Sequence, residues 1–309
     1  MAKYLTPAME KLSQAEAKKK KTNSEKKKKK NSQVREVLHR MTYNRMAMVG
    51  LFIFVILALC ALFPGVIAKE GFDDQMYSRA FMPPCWEFPF GTDSFGRDIL
   101  SRCIWGARTS LTIGIISVSF AVLVGGTIGA IAAFKGGQVD NVLMRLMDVL
   151  MSIPSFLLCI SITAALGSGF VIIVCAIAIG SIPEYARIVR AAVLTIKGNE
   201  FVEAARSIGA SDMRILLKHL LPNCLSPIIV QATMGVAGAI LSAAGLSFMG
   251  LGVQPPTPEW GYMLNAGKQY IRDAWWIVTF PGVTIMTAIF SLNLLGDGLR
   301  DALDPKLKK

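Results

Sequence analysis

Histidine occurs only twice in the 309 residues, at His39 and His219. Neither stands at a ligand spacing from the other or from a cysteine, so no metal site is indicated. The six cysteines form no framework either. Cys60, Cys159 and Cys175 lie in apolar runs, where cysteine behaves as a small packing residue. Cys224 sits at the edge of another run. Cys85 and Cys103 share one polar segment, where a disulfide is conceivable but not required. A Gly-x-x-x-x-Gly-Lys-[Ser/Thr] run is missing, so the chain has no phosphate loop of its own. No acid–base pair or activated nucleophile stands out. No catalytic residue, metal ligand or cofactor is therefore assigned, and the chain is expected not to be an enzyme.

Charge is scarce outside the first 45 residues, which carry +10 of the net +12. The arm is dominated by Lys18–Lys21 and Lys26–Lys30, and no aromatic residues are interleaved with these lysines. That composition disfavours nucleic-acid binding. It predicts a solvated, disordered basic segment over residues 1–33, attracted to anionic lipid headgroups at about 1 kcal/mol per well-placed basic residue.

The rest of the chain is rich in long apolar runs, and even with the basic arm included 53% of residues are hydrophobic and the mean hydropathy is +0.48. A helix needs roughly 20 apolar residues to cross a bilayer. Six runs approach or exceed that length: Met46–Phe63, Ser110–Phe134, Val142–Leu166, Val171–Ile182 continuing as helix toward Arg190, Pro227–Leu246, and Trp275–Leu295. The fold class predicted is all-α and polytopic. The first run begins too late for a secretory signal and lacks a small-residue cleavage site. A basic arm before it places the N-terminus inside, and six crossings return the C-terminus to the same side. The inner segments then include the basic stretches 187–223 and 300–309. The outer segment 64–108 holds five basic and six acidic residues, and 248–274 is neutral. The organisation predicted is a basic cytoplasmic arm (1–33), a first span with its lead-in (34–68), an extracellular loop (69–108) and a core membrane domain (109–309).

Within the core, residues 197–223 form a polar interruption. Glu203, Ala204 and Ala205 lie among good helix formers, and the two alanines offer a face that another surface can approach closely. Gly209 can adopt the positive φ that ends a helix. Ser211 suits the N-cap of a second helix from Asp212 to Leu221, and Pro222 either closes that helix or opens the next. The segment predicts a helix–turn–helix elbow. Asp148 lies near the start of the third span. It either pairs with Arg145, three residues earlier, or contacts a substrate. Pro154 is expected to kink that span. Gly125 and Gly129 form a Gly-x-x-x-Gly seam. Glu184, Arg187 and Arg190 share one helix face and either brace the elbow or are simply solvated. Gln254–Pro258 is too rich in proline for helix. Trp260, Tyr262, Tyr270, Trp275 and Trp276 suit an aromatic belt at headgroup level, with substrate contact by Trp260 or Tyr262 as the alternative.

The run Glu203-Ala204-Ala205, then Gly209, then Leu221-Pro222, resembles the EAA signature of ATP-binding-cassette (ABC) importer permeases. Where many members carry Ile three residues before the proline, this chain has His219, in a Lys218–Asn223 run similar to the peptide-importer branch; a packed or capping role is expected for it. The segments Phe90–Arg102, Leu246–Gly261 and Asn293–Pro305 likewise resemble the C-type membrane subunit of dipeptide/oligopeptide (peptide/nickel) transporters, and the likeness extends over about residues 35–307. It implies a type I importer permease that forms half of a translocation pore and sits in the cell membrane. It also implies four kinds of partner: a B-type permease, two ATPases that carry ATP and magnesium, an extracellular binding protein, and lipid. Glu203, Ala204, Ala205, Gly209, Leu221 and Pro222 would be the ATPase-coupling residues, and Asp148, Pro154 and Trp260 candidates for the substrate path. Nickel chelates or other small solutes are transported by the same family, so the cargo stays open. A stand-alone secondary transporter would need paired ionisable groups on discontinuous helices. A channel would need a filter. Neither pattern is visible. With this topology, a thiol introduced at Ser211 is expected to react with impermeant reagent only from the cytoplasm, and one at Pro256 only from outside. Labelling of both from one side would contradict six crossings.

Overall fold

The computed structural model describes residue 39 and residues 41–303, and the basic arm 1–33 and the tail Asp304-Pro305 lie outside the described residues. Helices account for every named element: α1 (Arg45–Leu62), α2 (Ile99–Lys135), α3 (Gly137–Met151), α4 (Ser155–Leu166), α5 (Phe170–Lys197), α6 (Glu200–Ser207), α7 (Asp212–Ile215), α8 (Leu225–Phe248), α9 (Trp260–Gly267) and α10 (Trp276–Leu303). α1, α2, α5, α8 and α10 are each long and apolar enough to cross a membrane. Helix is what such sequences must form in lipid, because it satisfies every backbone N–H and C=O within the segment. Side chains fix the starts: Asn44 caps α1 by accepting from the N–H groups of Met46 and Ala47. Asp98 caps α2 by accepting from Leu100 N and Ser101 N. That cap starts α2 inside the segment expected to be outer loop, ahead of the predicted start at Ser110.

The third span departs furthest from expectation. It is not one kinked helix but two, α3 and α4, bent by 77°. Pro154 sits at the break, just ahead of α4. Proline has no N–H to donate and pushes the residue before it out of helical geometry, so α3 cannot continue through Ile153. Ser152 closes α3: its N–H donates to the carbonyls of Asp148 and Val149 at 3.0 and 3.3 Å, and its Oγ donates to the Val149 carbonyl at 2.7 Å.

α2 is the central element, packed on α1, α5 and α8, and its contact with α5 is the most extensive in the molecule. Gly125 and Gly129 make that contact possible. A Cβ on Gly129 would overlap the Ala186 carbonyl, and one on Gly125 would overlap the Ile182 carbonyl, so only hydrogen fits between the backbones. α1 is tied on by Arg108, which donates to the carbonyls of Ala61 and Leu62 at 2.9 and 3.0 Å and so satisfies the C-terminal end of that helix.

At one end of the bundle, the loop 68–98 and the segment 249–275 form a cap. Its interior holds a polar cluster among apolar side chains: Thr92, Asp93, Arg97, Asp98 and Arg102 are all buried. Each is partnered. Arg97 Nε donates to Asp93 at 2.7 Å, its Nη1 donates to Asp73 at 3.2 Å, and Arg102 donates to the Phe72 carbonyl at 2.6 Å. Glu259 and Trp260 lock the cap onto α2. Trp260 is fully buried and its Nε1 donates to the Cys103 carbonyl at 2.9 Å. Glu259 caps α9 by accepting from Gly261 N and Tyr262 N at 3.0 and 2.8 Å, and Ser110 donates to it at 3.3 Å. Trp276 is also buried, donating to the Thr92 carbonyl. Trp260 and Trp276 are therefore internal pins of the cap, and of the five belt candidates Trp275 is the tryptophan that stays half exposed. All six cysteines are free, and Cys103 is buried whereas Cys85 is exposed.

Two outcomes follow. Gly129→Ala should lower stability by about 1–3 kcal/mol, the usual cost of overpacking. Gly126→Ala, whose Cβ would meet its nearest neighbour at an ordinary 3.5 Å, should be neutral or slightly stabilising; thermal unfolding in detergent compares them. Burial raises the Glu259 carboxyl above its ordinary range, against the lowering effect of its backbone donors. The folded state therefore holds a proton that the unfolded state releases, so stability should fall as pH rises from the ordinary glutamate range through the raised one. The difference in melting temperature between the parent and Glu259→Gln should carry that slope; a pH-independent difference would remove Glu259 as its source.

Candidate coupling site

The elbow joins α5 to α8 at the opposite end of the bundle from the cap. α6 is amphipathic over two turns. Val202 and Ala205 turn inward and join Ile215, Leu216 and Leu220 against Ala130, Phe134, Val189 and Val193 of α2 and α5. Glu200 and Glu203 occupy its first turn and Arg206 its last, the arrangement favoured by the helix dipole. Its end is a Schellman turn: Ala210 N donates to the Ala205 carbonyl at 3.1 Å and Gly209 N to the Arg206 carbonyl at 2.9 Å. That geometry sets Gly209 at φ +77°. No other atom lies within 4 Å of where its Cβ would stand, so the demand for glycine comes from backbone conformation and not from crowding.

The second half of the elbow is less regular than a helix over Asp212–Leu221. Ser211 has the extended backbone of an N-cap, but its side chain makes no capping bond. One α-turn passes into a π-turn over Leu216–Leu220, where Leu221 N donates to the Leu216 carbonyl, and then into a 3₁₀ turn over Leu221–Asn223. Pro222 accounts for the widening: it cannot donate to the Lys218 carbonyl, and its ring would collide with it in a regular helix. His219 is half-buried, and its carbonyl accepts from Asn223 Nδ2 at 2.6 Å.

Two cations moor the elbow to α2. Lys197 Nζ donates to the carbonyls of Ala133 and Phe134 at 2.9 and 2.7 Å, capping the last turn of that helix. Lys197 and Arg206 both stand 5.9 Å from the centre of the buried Phe134 ring.

The six predicted coupling residues come together on this elbow but do not share one face. Glu203, Ala204, Gly209 and Pro222 are exposed, Leu221 is half-buried, and Ala205 is buried. The two alanines therefore do not form a joint outer face: successive residues of a helix point about 100° apart, and Ala205 follows Val202 inward. Sequence reasoning missed the apolar residues that stay outside. Ile208 is 84% exposed, with Met213 and Leu217 also projecting. Their signal was present in the pattern, as large apolar residues off the buried stripe of a polar segment.

The substrate-path candidates do not converge. Asp148 and Pro154 belong to the α3–α4 break and Trp260 to the buried interior of the cap, where it is inaccessible to a solute. Asp148 does not pair with Arg145: Arg187 of α5 donates to it at 2.6 Å. Glu184, Arg187 and Arg190 do not brace the elbow directly. Arg187 and Arg190 bind carboxylates of α3, and Glu184 accepts from Gln231 of α8 at 2.9 Å.

Residues 125–309 match the family described as binding-protein-dependent transport system inner membrane component, and residues 32–84 match the N-terminal TM domain of oligopeptide transport permease C. The di/tripeptide transport system permease protein DppC of Pseudomonas aeruginosa is 46% identical over 283 residues, covering 90% of this chain and 93% of that protein. The dipeptide transport system permease protein DppC of Alkalihalophilus pseudofirmus is 44% identical, covering 89% of this chain and 90% of its own. The glutathione transport system permease protein GsiD of Escherichia coli is 44% identical, covering 89% and 93%. Among solved structures, a chain of the MetNI methionine ABC transporter in an inward-facing form superposes with a TM-score of 0.55 at 21% identity, covering 67% of this chain and 98% of that one, a likeness of fold. A multi-pass helical bundle with this elbow, matched over most of its length by permeases, identifies the chain as a member of the binding-protein-dependent transport system inner membrane component family.

Proposed function

We propose that the chain forms half of the membrane pore of an ATP-driven importer of short peptides, and that its elbow is the seat of an ATPase subunit. The observation that carries this is the two-sidedness of the elbow. Its inner face is built into α2 and α5, while its outer face presents Ile208, Met213 and Leu217 beside Glu203 and Ala204. Apolar side chains on a polar turn outside the membrane spans are expected where a partner covers them. The peptide cargo is supported by the relatives, whose names specify di/tripeptide, dipeptide and glutathione transport. A B-type permease would complete the pore, a second ATPase would serve that subunit, and an extracellular binding protein would deliver the peptide to the cap end. ATP and magnesium would be held by the ATPases. Both termini and the elbow would then lie in the cytoplasm, with the basic arm against anionic lipid.

The mechanism is alternating access. Closure of the ATPase pair on ATP displaces the elbow, and α2 and α5 move with it because its inner face is part of their packing. Work is transmitted only if the elbow's contacts with the ATPase differ between the two states.

In the assembled complex, Gly209→Val should cut peptide uptake at least tenfold while the bundle stays folded. The added Cβ meets nothing within 4 Å, but a β-branched residue resists positive φ. Ala204→Trp should act similarly by blocking the outer face, whereas Ala205→Trp should disrupt the elbow itself. Uptake and peptide-stimulated ATP hydrolysis at parental rates in both Gly209→Val and Ala204→Trp would reject the elbow as the coupling site.

A further inference from the structure

α3 is placed by charge where its neighbours are placed by packing. Met147 is its one buried residue, and Val142, Leu146 and Val149 are exposed. Among the described residues, every side-chain hydrogen bond that α3 makes to another element goes to α5. Asp140, in its first turn, accepts from Arg190 Nε and Nη2 at 2.6 and 2.7 Å, a two-pronged contact that fixes direction as well as distance. Asp148, two turns later, accepts from Arg187 at 2.6 Å. Arg187 and Arg190 are three residues apart and so share a face of α5. The ends of α3 are built to bend. Gly136 and Gly137 stand at φ +68° and +56°, and the 77° break lies at the other end. α5 itself runs on to Lys197, where the chain turns into the elbow.

From this arrangement we infer that Asp140–Arg190 and Asp148–Arg187 are positioning pairs that make α3 a lever carried by α5. Movement of the elbow then swings α3 between its glycine joint and its proline joint, and α4 and the rest of the bundle feel the change through the break. The inference rests on the proposed role of the elbow. Partly exposed ion pairs add little to folding stability, and the Arg187–Asp148 pair is about half exposed on both sides. Their loss is therefore expected to leave the protein folded and assembled but poorly directed. The two-pronged geometry at Arg190 also makes lysine an inadequate replacement.

The test uses the complete transporter in liposomes, with peptide uptake and ATP hydrolysis measured together. Asp148→Asn, Asp140→Asn and Arg190→Lys should each reduce peptide moved per ATP at least fivefold while keeping hydrolysis within twofold of the parent. The paired exchanges Asp148→Arg with Arg187→Asp, and Asp140→Arg with Arg190→Asp, should recover at least half of the lost ratio. A purely structural role predicts lower yield of complex with an unchanged ratio. The proposal is overturned if the single variants keep the parental ratio. It is equally overturned if they fail to assemble and the exchanges do not restore assembly. Uncoupling by Gly209→Val alongside normal ratios in all α3 and α5 variants would reject the lever and leave the elbow in place. Parental ratios in both sets would reject both.

Discussion

The contact of α2 with α5 through Gly125 and Gly129 is the constraint on which the other features depend. Two helices meet backbone to backbone there because no side chain stands between them. Once they are joined, the end of α2 and the last turns of α5 create the apolar hollow that receives Val202, Ala205, Ile215 and Leu220 of the elbow. The same union places Lys197 where it can cap α2, and sets Arg187 and Arg190 facing α3. At the far end, the first turns of α2 anchor the cap through Asp98, Arg102 and the carbonyl that receives the Trp260 indole. One helix pair thus reaches from cap to elbow, and both ends are built onto it.

The distribution of polarity fits that arrangement. Buried charge is concentrated in the cap, where each group has a partner, since an unpartnered buried charge would be prohibitively costly. The middle of the bundle is held by alanine and branched aliphatic side chains with Tyr185 among them, and by the glycine contacts of α2. Around α3 the balance reverses, with exposed apolar residues and ion pairs doing the positioning. Close backbone packing joins α2 to α5, and ion pairs join α3 to α5.

Local features were legible in the sequence and directional ones were not. The apolar runs, the glycine seam and the left-handed Gly209 each depend on neighbouring residues and appear where those residues dictate, whereas Pro154 marked the place of the bend in the third span but not its depth, a full break in place of a kink. The inward turn of Ala205 depends on which side of a two-turn helix meets α2 and α5, and no local pattern fixes that. The same holds for Asp148: Arg145 was near in sequence, but Arg187 is near in space. Trp260 suited a membrane interface by type, yet its ring fills the space between α2 and α9, a site created by packing across 157 positions of sequence. Two misses were avoidable. Asp98 is an ordinary N-cap residue type, standing ahead of Ile99 and Leu100. Pro222 at the end of a predicted helix was a signal for an irregular last turn.

The central claim is that the elbow, α2 and α5 move as one body when the ATPases close. Distances between paired spin labels in the full complex test it directly, with one pair at Ile208 and Ser94, spanning elbow to cap within this chain, and a second joining Ile208 to the partner permease. The account predicts that nucleotide-driven closure leaves the distance within the chain unchanged and shifts the distance between subunits. A change within the chain with no change between subunits would mean that the elbow flexes on its own, and would contradict the account.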